Sequence, residues 1–297
     1  MEDNVDMRRA GFSDLFGATW RALMSNYGLQ LGYGAVFILM VLGSAILVLV
    51  VGLFLQSYFF KPGDLGAVMI GAAINLFLGV VIIYPVVAYL HYGILRRLRG
   101  STEARKRGRY AVILVISIIQ GCLMAPSVFV QAAARPGEFA NLILDFEVTG
   151  AAVKVNAEQG AETAEQKRAK ADALKERLDT ERIPTNVGLS VLAGVLGIMG
   201  GVVALLWIPW AYVAALDPRT NVTTAAEALQ YGGMLCAGSR GPMYGAGFVL
   251  LLIICVSVIL CCLPAVFFGI PLAIGAVPAF YMTMRGESAG ASAPPVA

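Results

Sequence analysis

Five stretches of this chain run almost without charge, at roughly residues 31–55, 67–95, 110–133, 187–215 and 244–284. Each is long enough to cross a bilayer, which takes about 20 apolar residues in a helix. The last is too long for one crossing. At ~1.5 Å per residue it would reach about twice the ~30 Å hydrocarbon thickness, so it must fold back. The expected turn is Cys262-Leu263-Pro264, which gives six spans. Only 14% of the residues are charged, against about 25% in a soluble domain. That leaves too little polar surface for a water-soluble globule.

The expected fold is all-α: a polytopic transmembrane helix bundle with six spans as three hairpins, interfacial amphipathic helices and one helical insert on the far side of the membrane. Residues 1–28 form a polar tail and an interfacial helix, 29–134 spans one to three, 135–185 the insert, 186–285 spans four to six, and 286–297 a flexible tail. Lys61-Pro62-Gly63-Asp64 supplies the sharp turn between the first two spans. Before span one, Phe12, Leu15, Phe16, Thr19, Trp20, Leu23, Met24 and Tyr27 share a helical face opposite Ser13, Asp14, Arg21 and Ser25, with Ser13 as the N-cap. Such a helix lies flat at headgroup depth. A second amphipathic stretch, from Asn221, precedes span five and carries a capping box in Thr224 and Glu227.

The second span of each hairpin ends alike: Tyr84-Pro85 then Tyr89, Pro209-Trp210 then Tyr212, and Pro278 then Phe280-Tyr281, followed by Arg96, Arg219 and Arg285. This is a weak internal repeat. Orientation comes from the turn between spans two and three. It holds Arg96, Arg97, Arg99, Arg105, Lys106, Arg107 and Arg109 against one acid, Glu103. Bases close to span ends favour the cytoplasm, so both termini fall inside and the insert outside. The same bases suit anionic lipid headgroups. No stacking aromatics alternate with them apart from Tyr110, which argues against nucleic acid.

Within the insert, Phe139–Phe146 is amphipathic and Gly150 breaks it. Residues 157–182 are rich in Ala, Glu, Lys and Arg and predict a projecting helix, ended by Pro184. Its thin apolar seam of Ala164, Ala171, Leu174 and Leu178 is interrupted at Lys167. Ala171, Leu174 and Leu178 are the candidate contacts for a protein partner or for self-association.

Catalytic residues, cofactors and metals are not expected. A lone histidine, His91, cannot build a metal cluster, and it is expected at the interface facing headgroups. The five cysteines lie in or beside apolar blocks and the insert has none, so no disulfide framework is expected. The central parts of the spans lack charge, which argues against coupled transport. Asn75, Ser117 and Gln120 are the candidates for an intramembrane polar path, with helix-to-helix hydrogen bonding as the alternative role. Gly197 and Gly201 suggest close helix contact.

The order of elements resembles a broad group of uncharacterised bacterial six-span proteins, similar in layout to the membrane domain fused to some glycerophosphoryl diester phosphodiesterases. The features that carry it are the Phe12–Tyr27 interfacial run with Trp20, the Arg-rich turn, and the aliphatic-Pro-aromatic endings at Pro85, Pro209 and Pro278. The insert departs from that layout, and no phosphodiesterase domain follows. The resemblance implies a multi-pass protein of a bacterial cytoplasmic membrane. The expected role is a non-enzymatic scaffold or accessory subunit that presents its outer helix to a partner. The alternative is a passive transporter or a lipid- or solute-handling protein.

Overall fold

A computed structural model describes residues 9–62, 64–101, 104–157, 164–205, 207–260 and 264–287. The described residues are helical with no strand. Six helices are long and apolar enough to cross a membrane, compatible with an integral membrane protein. The elements are α1 (Phe12–Ser25), α2 (Tyr27–Tyr58), α3 (Leu65–Leu78), α4 (Tyr84–Leu98), α5 (Tyr110–Ala134), α6 (Glu138–Ala157), α7 (Ala164–Glu181), α8 (Val187–Leu205), α9 (Ile208–Leu216), α10 (Ala225–Ala237), α11 (Arg240–Leu260) and α12 (Ile270–Met284). Of the expected turn at Cys262-Leu263-Pro264, Cys262 and Leu263 lie outside the described residues. So do Gly63, Glu103 and residues 288–297.

The contacts gather the chain into two compact units. The first takes residues 1–42, 78–123 and 200–297. Its central helix is the last one: 61% of that span is buried, whereas the span in α2 is 6% buried and shows its apolar side chains outward. Only a bilayer solvates such a surface well. The amphipathic α1 uses Leu15, Ala18, Thr19, Ala22 and Leu23 to pack against α12 and α11. Its N-cap lies two residues earlier than the sequence suggests. Gly11 is the N-cap, its N–H bonded to the Asp14 carboxylate at 3.1 Å, and Ser13 falls inside the first turn. The capping box at Thr224 and Glu227 forms as expected and starts α10, which packs on α9.

The internal repeat is present in a different register. A π-helical turn, Gly79–Ile83, leads into α4 with Pro85 as its second residue; a second, Ala265–Gly269, leads into α12 with Pro271 as its second residue. Pro271, not Pro278, is therefore the counterpart of Pro85. The physical cause is shared. A proline inside a helix has no N–H for the carbonyl four residues back and crowds it, and a widened turn relieves the clash. The two carbonyls left without that donor are Val81 O and Phe267 O. Each receives a tyrosine hydroxyl from the first helix of another hairpin: Tyr110 donates to Val81 O and Tyr27 to Phe267 O, both at 2.8 Å. In the middle hairpin, which breaks before Pro209, Tyr244 donates to Val202 O at 3.0 Å. Three tyrosines at three span starts thus link the hairpins in cyclic order.

The second unit takes residues 43–77 and 124–199. Its small core is Ala67, Val68, Ala132 and Phe139. The Phe139 ring lies against Gly52, where an added Cβ would overlap it. Gly197 makes the expected close approach, since a Cβ there would meet Ser127 Oγ at 2.9 Å, but Gly201 has nothing within 4 Å. Helix α6 runs straight through Gly150 rather than breaking there. Helices α6 and α7 pack as a hairpin. Asn141 closes its base, donating to Ile183 O and accepting from Ile183 N at 2.9 Å each. Arg177 with Glu147 and Arg182 with Asp145 add surface ion pairs.

Close packing of α10 on α9 rests on Gly232, where a Cβ would stand 2.6 Å from the Trp207 carbonyl, a backbone atom that cannot swing away. Gly232→Ala should destabilise the protein by roughly 1–3 kcal/mol through overpacking. Gly201→Ala, in open space, should be neutral or stabilising by up to about 1 kcal/mol from helix propensity. Thermal melts of both variants in detergent check this pair of opposite signs.

Candidate functional site

The second helices of all three hairpins end at one place in the first unit. Arg99, Asp217 and Arg285 are the C-caps of α4, α9 and α12. Asp217 has 0% side-chain exposure and sits between the two arginines, at 5% and 8%. Arg99 donates from Nη1 to Asp217 Oδ1 at 2.9 Å and from Nη2 to Oδ2 at 3.0 Å. Arg285 Nη1 donates to Oδ2 at 3.0 Å, the Tyr281 hydroxyl to Oδ2 at 3.1 Å, and Arg219 N–H to Oδ1 at 3.1 Å. A second carboxylate completes the cluster: Glu287 accepts from Arg99 Nε at 2.5 Å and Nη2 at 2.7 Å.

Matching caps place these groups. After Arg99 and Arg285 comes a glycine in the left-handed region, Gly100 with φ 60° and Gly286 with φ 71°, a conformation glycine adopts without Cβ strain. Gly100 N–H bonds Arg97 O and Ser101 N–H bonds Arg96 O; Gly286 N–H bonds Thr283 O and Glu287 N–H bonds Met282 O. This is the Schellman pattern twice over. Arg99 is thus the counterpart of Arg285, in place of Arg96.

Burial by itself would raise the Asp217 carboxyl. The hydrogen bonds and charge of Arg99, the Arg219 N–H and the charge of Arg285 outweigh it and hold the group below the usual carboxylate range. Lys106 ties the chain after Asp217 to the same end, donating to Thr220 O, Thr220 Oγ1 and Val222 O. Burial, then the neighbouring Arg109 charge, pushes the Lys106 ammonium down. Arg109 donates to Thr223 O at 2.6 Å.

The seven bases of the turn therefore divide. Arg99, Lys106 and Arg109 hold the fold together. Arg96 bonds Ser101 O, Arg105 lies over the Tyr89 ring at 4.7 Å, and Arg97 and Arg107 are exposed. Of the polar-path candidates, Ser117 is fully buried and accepts from the Tyr212 hydroxyl at 2.9 Å, and that hydroxyl also lies 2.9 Å from Gln120 Oε1. Asn75 belongs to the second unit and is exposed. On α7, Leu174 and Leu178 are half-buried between exposed neighbours, and the side chain of Ala171 lies outside the described set. His91 is buried rather than facing headgroups: its helix face turns into the core beside Ile94 and Leu95, and Nδ1 has no hydrogen-bond partner. Among the described residues, no group of three His, Cys, Asp or Glu could hold a metal ion.

Asp217 and Glu287 carry no motif in the sequence, and Tyr281 enters there only through the aromatic ending of the third hairpin. The local signal for Asp217 is an acid directly ending an apolar block, where the other two second helices end in arginine. Chemically the site is a charge-balanced, hydrogen-bonded cluster of two guanidiniums and two carboxylates.

Asp217→Asn should destabilise the protein by about 3–5 kcal/mol, because it leaves buried guanidinium charge uncompensated. The pH dependence has a defined sign. A carboxyl lowered in the folded state stabilises above its ordinary value of about 3.9, and that contribution is lost as pH falls through the lowered folded-state value. Melting temperature should therefore be insensitive to Asp217 from neutral pH to about 4 and drop below it. The Asn variant should lack that step. Melting curves across this range check both outcomes.

No protein-family model, curated protein or solved structure matches this chain.

Proposed function

We propose that this chain is a non-enzymatic membrane scaffold or accessory subunit that presents the α6–α7 hairpin to a partner protein. The observation that carries this reading is the self-contained build of the hairpin. Its half-buried positions on α7, Leu174 and Leu178, lie on the helix that packs against α6. Its ends are fixed by Asn141 with Ile183 and by Arg182 with Asp145. Asp172, Lys175, Glu176 and Asp179 are left exposed as a charged outer face. A helical hairpin with a mixed-charge face suits protein recognition, where complementary charge sets partner choice and encounter rate. The first unit supports the same reading. Its intramembrane polar groups Ser117 and Gln120 converge on Tyr212 rather than standing free along a route.

By the basic-residue rule, the turn near Arg107 faces the cytoplasm and the hairpin, one crossing later, faces outward. Membrane-impermeant thiol labelling of intact cells should modify a cysteine placed at Glu176 and spare one at Arg107; the reverse pattern inverts the orientation. For the role itself, the test is crosslinking followed by co-purification from membranes. The triple variant Lys175→Glu, Glu176→Lys, Asp179→Lys should lose at least about 90% of a partner that the intact protein retains, since like-charge contacts then replace complementary ones. Unchanged recovery, both in this variant and on deletion of 138–182, overturns the reading.

A second reading, lipid handling, has one specific observation in its favour. A crevice of about 320 Å³ in the first unit is lined by Ile119, Leu123, Val203, Trp207, Ile208 and Leu229, with Gln230 as its polar member. Its lining suits a hydrocarbon chain.

A further inference from the structure

The two carboxylates of the buried cluster are held very differently. Asp217 accepts from five donors contributed by Arg99, Arg285, Tyr281 and Arg219 and is fully buried. Among the described residues Glu287 accepts hydrogen bonds from Arg99 and forms an ion pair with Arg285 Nε at 3.2 Å; it is 21% exposed and lies just past the end of α12. Asp217 is the fixed anion and Glu287 the exchangeable one. The Nε–Nη2 edge of Arg99 that Glu287 occupies is a planar fork that fits a carboxylate or a phosphate equally well.

Two further donors at this place lack a well-aligned hydrogen bond. Arg285 Nε is buried and ion-paired to Glu287 Oε1 at 3.2 Å without an aligned hydrogen bond. The buried Tyr231 hydroxyl makes no well-aligned hydrogen bond; it stands beside the Tyr281 hydroxyl and within electrostatic reach of Arg285 and Glu287. Buried donors of this kind are costly unless something accepts from them. The charge count points the same way. With Glu287 in place the two arginines and two carboxylates balance; with Glu287 withdrawn, two guanidiniums face one carboxylate. The spans end at Leu98 and Met284, so both arginines sit one residue beyond the apolar segments, at the depth of the headgroups.

We infer that Arg99, Arg285 and Tyr231 form a phosphate-binding site, and that the chain's own Glu287 carboxylate is its resident occupant, displaced when an outside phosphate group binds. The phosphate is carried either by an anionic lipid headgroup or by a free ion. Glu287 then works as a built-in competitor that sets the affinity, and the turn at Gly286 is the hinge on which it leaves.

The test uses the full chain in nanodiscs of zwitterionic lipid. Thermal stability is read against added inorganic phosphate, and separately against discs in which about a third of the lipid is phosphatidylglycerol, since a ligand that binds the folded state raises stability in proportion to its affinity. Glu287→Gln keeps the side chain's size and removes the competing charge, so it should bind about tenfold tighter or better than the unmodified chain, as loss of a neighbouring like charge predicts. Tyr231→Phe in the Glu287→Gln background should weaken that binding severalfold while leaving the ligand-free melting temperature within about a degree. Arg285→Lys keeps the charge and removes the fork, so it should weaken binding too without unfolding the chain. A response to the lipid discs alone supports the site with a headgroup as ligand; a response to free phosphate supports it with the ion as ligand. If Glu287→Gln gains affinity for neither, or if Tyr231→Phe and Arg285→Lys leave the gain untouched, the inference is overturned.

Discussion

A fully buried carboxylate at the end of a helix is opposed twice. Removing it from water costs several kcal/mol, and the negative end of the helix dipole repels it. Asp217 caps α9 in this unfavourable setting and is held there by guanidinium groups that cap two other helices. Arg99 and Arg285, in contrast, sit at helix C-termini where positive charge is favoured. The three caps are therefore complementary. Each fixes the position of the other two, and the ends of all three hairpins in the first unit depend on that meeting. The loop that follows Asp217 is anchored by Lys106 and Arg109, so much of the basic turn serves the same junction.

At the broken ends of the second helices, backbone chemistry gives the same cyclic logic. Proline interrupts the helix ladder, and a carbonyl inside hydrocarbon cannot be left without a donor. Tyr110, Tyr244 and Tyr27 supply the hydroxyls, each reaching from the start of one hairpin into the second helix of another. The weak likeness of hairpin endings in the sequence is thus the trace of a repeated device. The eye is drawn to Pro278 because aromatic residues follow it. The structure selects Pro271, because the π turn and the Arg-Gly cap stand at matching distances on either side. Sequence spacing to the cap, rather than the aromatic neighbours, carried the right register.

The insert shows how local signals lose to packing. Gly150 weakens a helix by about 1 kcal/mol relative to alanine, which looks like a break in isolation. In the folded chain α6 gains Phe139 against Gly52 at one end and α7 alongside it, and the helix continues. The thin seam of α7 is too weak for a coiled coil between chains, yet it suits a short hairpin within one. His91 follows the same pattern. A lone histidine near a span end resembles an interfacial residue, but its face of α4 carries Ile94 and Leu95 into the core.

The number of spans, the all-helical class, the cap at Thr224 and Glu227, and the position of the insert were determined by the sequence, because each depends on local composition or on residues a few positions apart. A run of apolar side chains needs a bilayer whatever else the chain does. The ion cluster, the tyrosine-to-carbonyl links and the register of the repeat were decided only by the tertiary structure. Arg99 and Asp217 are 118 positions apart, and Arg285 and Asp217 are 68 apart. No periodicity connects residues so distant. What joins them is the cost of burying a carboxylate, which the folded chain meets only by bringing two arginines to it.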